Sequence, residues 1–98
     1  MDTPPSTVWQ VSEGCQFVWQ LWDDEYVVFD HGSGSTHFLD VIAGEALQTL
    51  VQSPSDVPGL THSMASRMGI EADSALEQRI RDTLDRFREA GLVEPSLT

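Results

Sequence analysis

Eleven consecutive residues, DHGSGSTHFLD from Asp30 to Asp40, gather most of what chemistry could use in this chain: two Asp, two His, three hydroxyls and two Gly. Three readings compete. A phosphate cradle needs backbone amides that open into a helix, normally with a Lys for the terminal phosphates, as in GxxxxGK[ST]. Here GSGST runs instead into the apolar, strand-like THFLD, with no Lys nearby. A metal site would draw on His31 and His37 across a hairpin, with Asp30 or Asp40. Neither HExxH nor a Cys/His ligand spacing is present, however, and His62 belongs to another segment. A hairpin turn asks only for residues able to take positive φ, which HGSGS supplies. The turn is the favoured reading, with His37 a hydrogen-bonded structural histidine on a short strand.

No catalytic constellation assembles elsewhere. Asp23 and Asp24 read as solvated turn residues, because nothing apolar encloses them to raise a pKa for acid–base work. Cys15 is the single cysteine, so an intrachain disulfide or a paired-cysteine metal site is excluded. No His or Arg flanks it to stabilise a thiolate. The expectation is a binding protein rather than an enzyme, with no cofactor and no metal.

The elements that position these residues change period at Asp40. Before it, VWQV (Val8 to Val11), QFVWQLW (Gln16 to Trp22), EYVVFD (Glu25 to Asp30) and a short segment ending at Asp40 are rich in aromatic and branched residues, as strands are. The last three form an antiparallel meander, with the first as a short additional strand. After Asp40, apolar residues at Ile42, Ala43, Ala46, Leu47, Leu50 and Val51 mark a helix face that Asp40 caps and Pro54 ends. SPSDVPG reads as a loop, and a short helix is expected from His62 to Met68 with Thr61 as its cap. The third helix starts after Asp73, steps through Leu76, Ile80, Leu84 and Phe87, and ends at Gly91, where Leu92 folds back onto the last turn.

These features predict one α+β domain over residues 8–95, winged-helix-like, with a three-stranded antiparallel sheet followed by three helices. Residues 1–7 form a flexible arm and residues 96–98 a tail. Both faces of the sheet are partly apolar, and one helical layer covers only one face. The other face calls for the arm, a second copy as a homodimer, or a partner.

Charge narrows the partners. Residues 1–66 hold nine acids and no Lys or Arg, and residues 67–98 hold seven acids against five Arg, for a net charge of −11. Such a field repels nucleic acid and anionic lipid, and HSMASRM offers a recognition helix only one Arg. A winged-helix DNA-binding regulator is therefore the alternative reading, not the leading one. No apolar run reaches membrane-spanning length, and MDTPPSTVW lacks the basic and apolar regions of a signal peptide, so the expected location is the cytoplasm.

A short strand at a sheet edge leaves backbone groups that an extended peptide can pair. That places the candidate site on Ser35, Thr36, His37, Phe38 and Leu39, with Arg79, Thr83 and Arg86 of the third helix as groove side chains. Thr83 is included because it lies between the two arginines. The alternative for Arg79 and Arg86 is pairing with Glu77, Asp82, Asp85 or Glu89 on a solvated face.

The order FVWQLWDDEYVVFDHGSGSTHFLD, AGEALQTL, LTHSMASRMGI and LDRFREAGLVEP resembles the PqqD-like proteins, above all in WDDEYVVFD, SGSTHFLD and AGLVEP. Within them it is most similar to the HPr-rel-A system peptide chaperone branch. Relative to the family pattern, Asp40 stands where an Asn usually opens the first helix, and it caps equally well. The resemblance implies a three-stranded sheet against three helices in a recognition element that binds a leader peptide and presents it to a modifying enzyme. It also implies that the leader pairs with the third strand, Ser35 to Leu39, and lies against the third helix, about Ser74 to Ala90. An HPr kinase-like protein is the other partner it implies.

Overall fold

Three aspartates fix where the helices begin. In the computed structural model, which describes residues 7–23 and 25–96, Asp40 accepts the Ala43 amide at 2.8 Å and opens helix α1, Val41–Gln52. Asp56 accepts the Gly59 amide at 2.8 Å and opens α2, Val57–Met68. Asp73 accepts the Leu76 amide at 2.9 Å and opens α3, Ser74–Glu89. In each case a short carboxylate satisfies an amide that the first turn leaves unpaired. Helix α1 stops as expected, with Ser53 extended just before Pro54. At the end of α3 the Leu92 amide returns to the Phe87 carbonyl at 2.8 Å and the Gly91 amide to Arg88 at 3.0 Å. Gly91 takes φ 79°, the left-handed residue this Schellman closure requires.

The second helix is longer than its sequence suggests. SPSDVPG is not a loop throughout, because Asp56 caps and Pro58 occupies the first turn, where a missing amide costs nothing. Thr61 is therefore no cap. It is buried inside α2, and its hydroxyl donates to the Val57 carbonyl at 2.8 Å.

The meander forms as read: β2 (Phe17–Trp22), β3 (Glu25–Asp30) and β4 (Ser35–Leu39) pair antiparallel in the order β2-β3-β4. The first strand, β1 (Val8–Val11), joins a second sheet instead. It lies between β5 (Ser55–Asp56) and β6 (Val93–Pro95), both antiparallel to it. The three-stranded expectation thus becomes two three-stranded sheets and three helices, still α+β. The second sheet ties the start of the chain to the segments after α1 and α3, with the Ser12 amide on Leu92 at 2.9 Å and the Ser96 amide on Val8 at 2.7 Å.

The core lies between the helices and both sheets. Leu47, Leu60, Met64, Ile80 and Leu84 fill its centre, with Trp9 and Val93 from the second sheet and Val28 and Leu39 from the meander. Trp9 has its ring under the Arg88 guanidinium at 5.8 Å. The meander is less deeply set: on its outer face Val18 is 52 % exposed, Trp22 64 % and Phe38 74 %. The arm that was a candidate cover for this face lies, but for Thr7, outside the described residues.

One contact line holds the meander to the helices. Phe17, Trp19 and Tyr26 stack edge to face, at 6.1 and 5.9 Å between centroids. The Tyr26 ring lies directly on the backbone of Gly44 in α1, where a Cβ would overlap it. Its hydroxyl donates to Glu45 at 3.0 Å, and Glu45 pairs with Arg67 of α2 at 3.0 Å. Two effects oppose each other at Gly44. Alanine is the better helix former by about 0.8–1.0 kcal/mol, whereas overpacking a fitted contact costs about 1–3 kcal/mol. Packing wins, so Gly44→Ala is expected to lower stability by about 1–2 kcal/mol in urea denaturation, despite its gain in helix propensity.

Candidate functional site

The stretch that could have been a phosphate or metal site is a turn, and Asp30 organises it. Its buried carboxylate accepts the Gln16 amide, the Gly32 amide and the Ser33 hydroxyl, each at 2.9 Å. These bonds hold its pKa below the ordinary carboxylate value, the Gln16 amide having the largest effect. Gly32 packs so closely on the Gly14 backbone that a side chain there would displace one of the two. The His31 ring stands edge-on to Phe29 at 4.8 Å. Among the described residues no three of His, Cys, Asp or Glu converge as a metal-ligand group. Cys15 lies beside this turn, its thiol pushed up to about 11 by burial first and then by Asp30.

What the turn builds is an edge. β4 pairs with β3 on one side, through Tyr26↔Leu39, Val27↔Phe38, Val28↔His37, Phe29↔Thr36 and Asp30↔Ser35, and no described strand lies on the other side. Along that free side runs a cleft of about 570 Å³ between β4 and α3. Its apolar lining is Leu39, Ala43, Phe87, Ala90 and Leu92. Its polar lining is Thr36, His37, Asp40, Glu25 and Arg86, and Phe38 stands at the margin. Leu39, Ala43, Phe87 and Leu92 are all buried, so the floor of the cleft is the margin of the core itself.

The family comparison bears on the same region. The sequence model described as Coenzyme PQQ synthesis protein D (PqqD) matches residues 25–93, from the first residue of β3 to the first of β6. The chain belongs to the PqqD family. Its fold is similar to that of the solved structure described as TbiB1 in complex with the TbiA(beta) leader peptide, at a TM-score of 0.66 and 18 % identity. That match covers 91 % of this chain and 99 % of the other. No curated protein matches the chain.

In this PqqD-family chain five of the eight residues singled out from sequence line the cleft: Thr36, His37, Phe38, Leu39 and Arg86. Three do not. Ser35 belongs to the turn, with its amide on the Ser33 hydroxyl at 3.2 Å. Thr83 is buried, its hydroxyl donating to the Arg79 carbonyl at 2.8 Å. At about 100° per residue it lies between the arginines and the apolar stripe, and its burial places it with the core. Arg79 is exposed beyond the end of the cleft and bonds Asp40 at 3.1 Å. Of the i,i+4 pairs considered, Glu77 takes Arg81 at 2.8 Å. The lining residues not singled out, Ala43, Phe87, Ala90, Leu92 and Glu25, carry no signal that separates a cleft floor from ordinary core and surface.

Asp40 is the electrostatic hinge of the site. The Ala43 amide, first, and then the Arg79 and Arg86 guanidiniums hold its carboxyl below the ordinary value of 3.8. A carboxyl lowered in the folded state stabilises the fold above its unfolded pKa, and the gain disappears as pH falls through the lowered value. Asp40→Ala is therefore expected to cost about 1 kcal/mol near neutral pH through loss of the cap. It should also lose less further stability than the parent chain between about pH 5 and pH 3. Urea midpoints across that range check both, with Asp30 retaining its own acid sensitivity in either protein.

Proposed function

We propose that this chain is a non-enzymatic adaptor: an extended precursor or leader peptide adds as a strand to β4, fills the cleft against α3, and is presented to a modifying enzyme. The observation that carries this reading is the unpaired edge of β4 opening onto that cleft, with Arg86 on its far wall. Ladder bonds give an added strand affinity with little regard to sequence, and the alternate side chains that turn inward are selected by the pockets they meet. Here those pockets are the apolar floor of Ala43, Phe87 and Leu92 and the positive end of Arg86, which fit an apolar peptide carrying acidic residues.

Membership of the PqqD family supports the reading, as does a fold shared with TbiB1, which was solved with a leader peptide bound. The modifying enzyme, or an HPr kinase-like protein in its place, would meet the rest of the molecule. The acidity that opposes nucleic acid there suits a basic partner surface. Among the described residues no helix is long and apolar enough to cross a membrane. The exposed outer face of the meander, with Val18, Trp22 and Phe38, favours a second role as a homodimer contact, which is compatible with the first.

A display library of random linear peptides is the direct test. Clones that bind are expected to lose about tenfold or more in affinity to Phe38→Pro, which interrupts the edge while α1 to α3 keep their far-ultraviolet signal. In the unmutated chain, β4 amides should gain protection from hydrogen exchange when such a peptide is added. A library that yields no binder, or binders indifferent to the proline, would sink strand addition. For acidic clones, Arg86→Glu is expected to weaken binding more at about 0.01 M salt than at about 0.15 M, where the Debye length contracts from about 30 to about 8 Å. A salt-independent loss would assign Arg86 to packing instead.

A further inference from the structure

One buried unsatisfied nitrogen and one exposed cation line the same cleft. Among the described residues, His37 Nε2 is the one buried side-chain nitrogen or oxygen without a hydrogen-bond partner. It stands on β4 opposite the fully buried Val28, and alternation puts its side chain on the helix-facing side of the sheet with Leu39. Arg86 is the exposed cation. Arg67 pairs with Glu45, Arg79 with Asp40 and Arg81 with Glu77, and Arg88 covers the Trp9 ring. Arg86 makes no direct ion pair among the described residues, although its charge acts on Asp40. A buried polar atom left unpaired costs about 1–3 kcal/mol, so each native exception calls for an explanation.

We propose that His37 and Arg86 together form a carboxylate-receiving corner, which selects a Glu or Asp side chain turned inward from the peptide strand beside β4. The proposal rests on the strand-addition reading above and adds the residue that sets specificity within it. An imidazole that donates from Nε2 and a guanidinium that donates from its fork can share one carboxylate, and both bonds are charge-assisted when the imidazole is protonated.

The other charged groups near the corner leave this vacancy intact. Asp40 is engaged by the Ala43 amide and Arg79. Asp30, on the same face of β3, is engaged by Gln16, Gly32 and Ser33. Glu25 also lines the cleft, and among the described residues it makes no direct ion pair with Arg86. Helix α1 contributes only Ala43 to the lining beside Asp40.

The test uses N-acetyl-glutamate N-methylamide and its glutamine counterpart as probes, titrated into the nitrogen-15-labelled chain. The glutamate compound is expected to shift the His37 ring nitrogens and Arg86 Nε together. The glutamine compound should move neither. In Arg86→Gln the glutamate compound no longer moves His37, and in His37→Leu it no longer moves Arg86 Nε. The unmutated chain carries the decisive readout if either variant folds poorly. Equal responses to the two compounds overturn the proposal. Failure here with proline-sensitive binders in the display experiment leaves strand addition standing without an acidic selector. A responsive corner with no such binders overturns strand addition and leaves an anion site.

Discussion

One carboxylate sets the geometry on which the cleft depends. Asp40 ends β4, caps α1 through the Ala43 amide at 2.8 Å and reaches Arg79 of α3 at 3.1 Å, so sheet edge and helix are held to a common post. The ion pair contributes little energy by itself, since both partners are about half exposed and such pairs are worth about 0–1 kcal/mol. Its value is positional. With α3 pinned at Arg79, Arg86 follows seven residues later on the same flank of the helix, about 10 Å along its axis. That places it beside β4, whereas Arg81 and Arg88 lie on the opposite flank and engage Glu77 and Trp9.

The rest of the molecule keeps that edge in place without covering it. The Asp30 turn fixes the register of β3 and β4, and the Tyr26, Glu45 and Arg67 line anchors the meander to α1 and α2. The second sheet closes the far side by joining β1 to β5 and β6. Each device acts on the inner face of the meander or on the opposite side of the molecule. The free side of β4 is left open by a scaffold that is tied down everywhere else.

How much of this was legible in the sequence depended on the length of the signal. The meander and the apolar stripes of α1 and α3 repeat over enough residues to declare their period, and the cap at Asp40 could be read beside them. The strands β5 and β6 span two and three residues, too short for any alternation, and Pro95 within β6 argues against a strand until β1 is seen beside it. The start of α2 was hidden for a related reason: Pro58 and Gly59 signal a break, yet in a first turn they are tolerated. At the site, backbone placement of β4 could be read, but the direction of a side chain on a helix flank could not. Thr83 differs from Arg79 and Arg86 by a fraction of a turn, and that rotation separates a core hydroxyl from a groove residue.

The open side of β4 has a further implication for the company the molecule keeps with itself. A ladder that accepts a stranger's backbone would equally accept a sister copy's, and Phe38, at 74 % exposure, gives such a mispairing an oily foothold. The chain has no edge lysine or blocking proline between Ser35 and Leu39 to discourage it. A charge of −11 on every copy offers a different safeguard, because mutual repulsion opposes edge-to-edge pairing of β4 between copies. Acidity in this protein is then a colloidal defence of an edge that the fold leaves open.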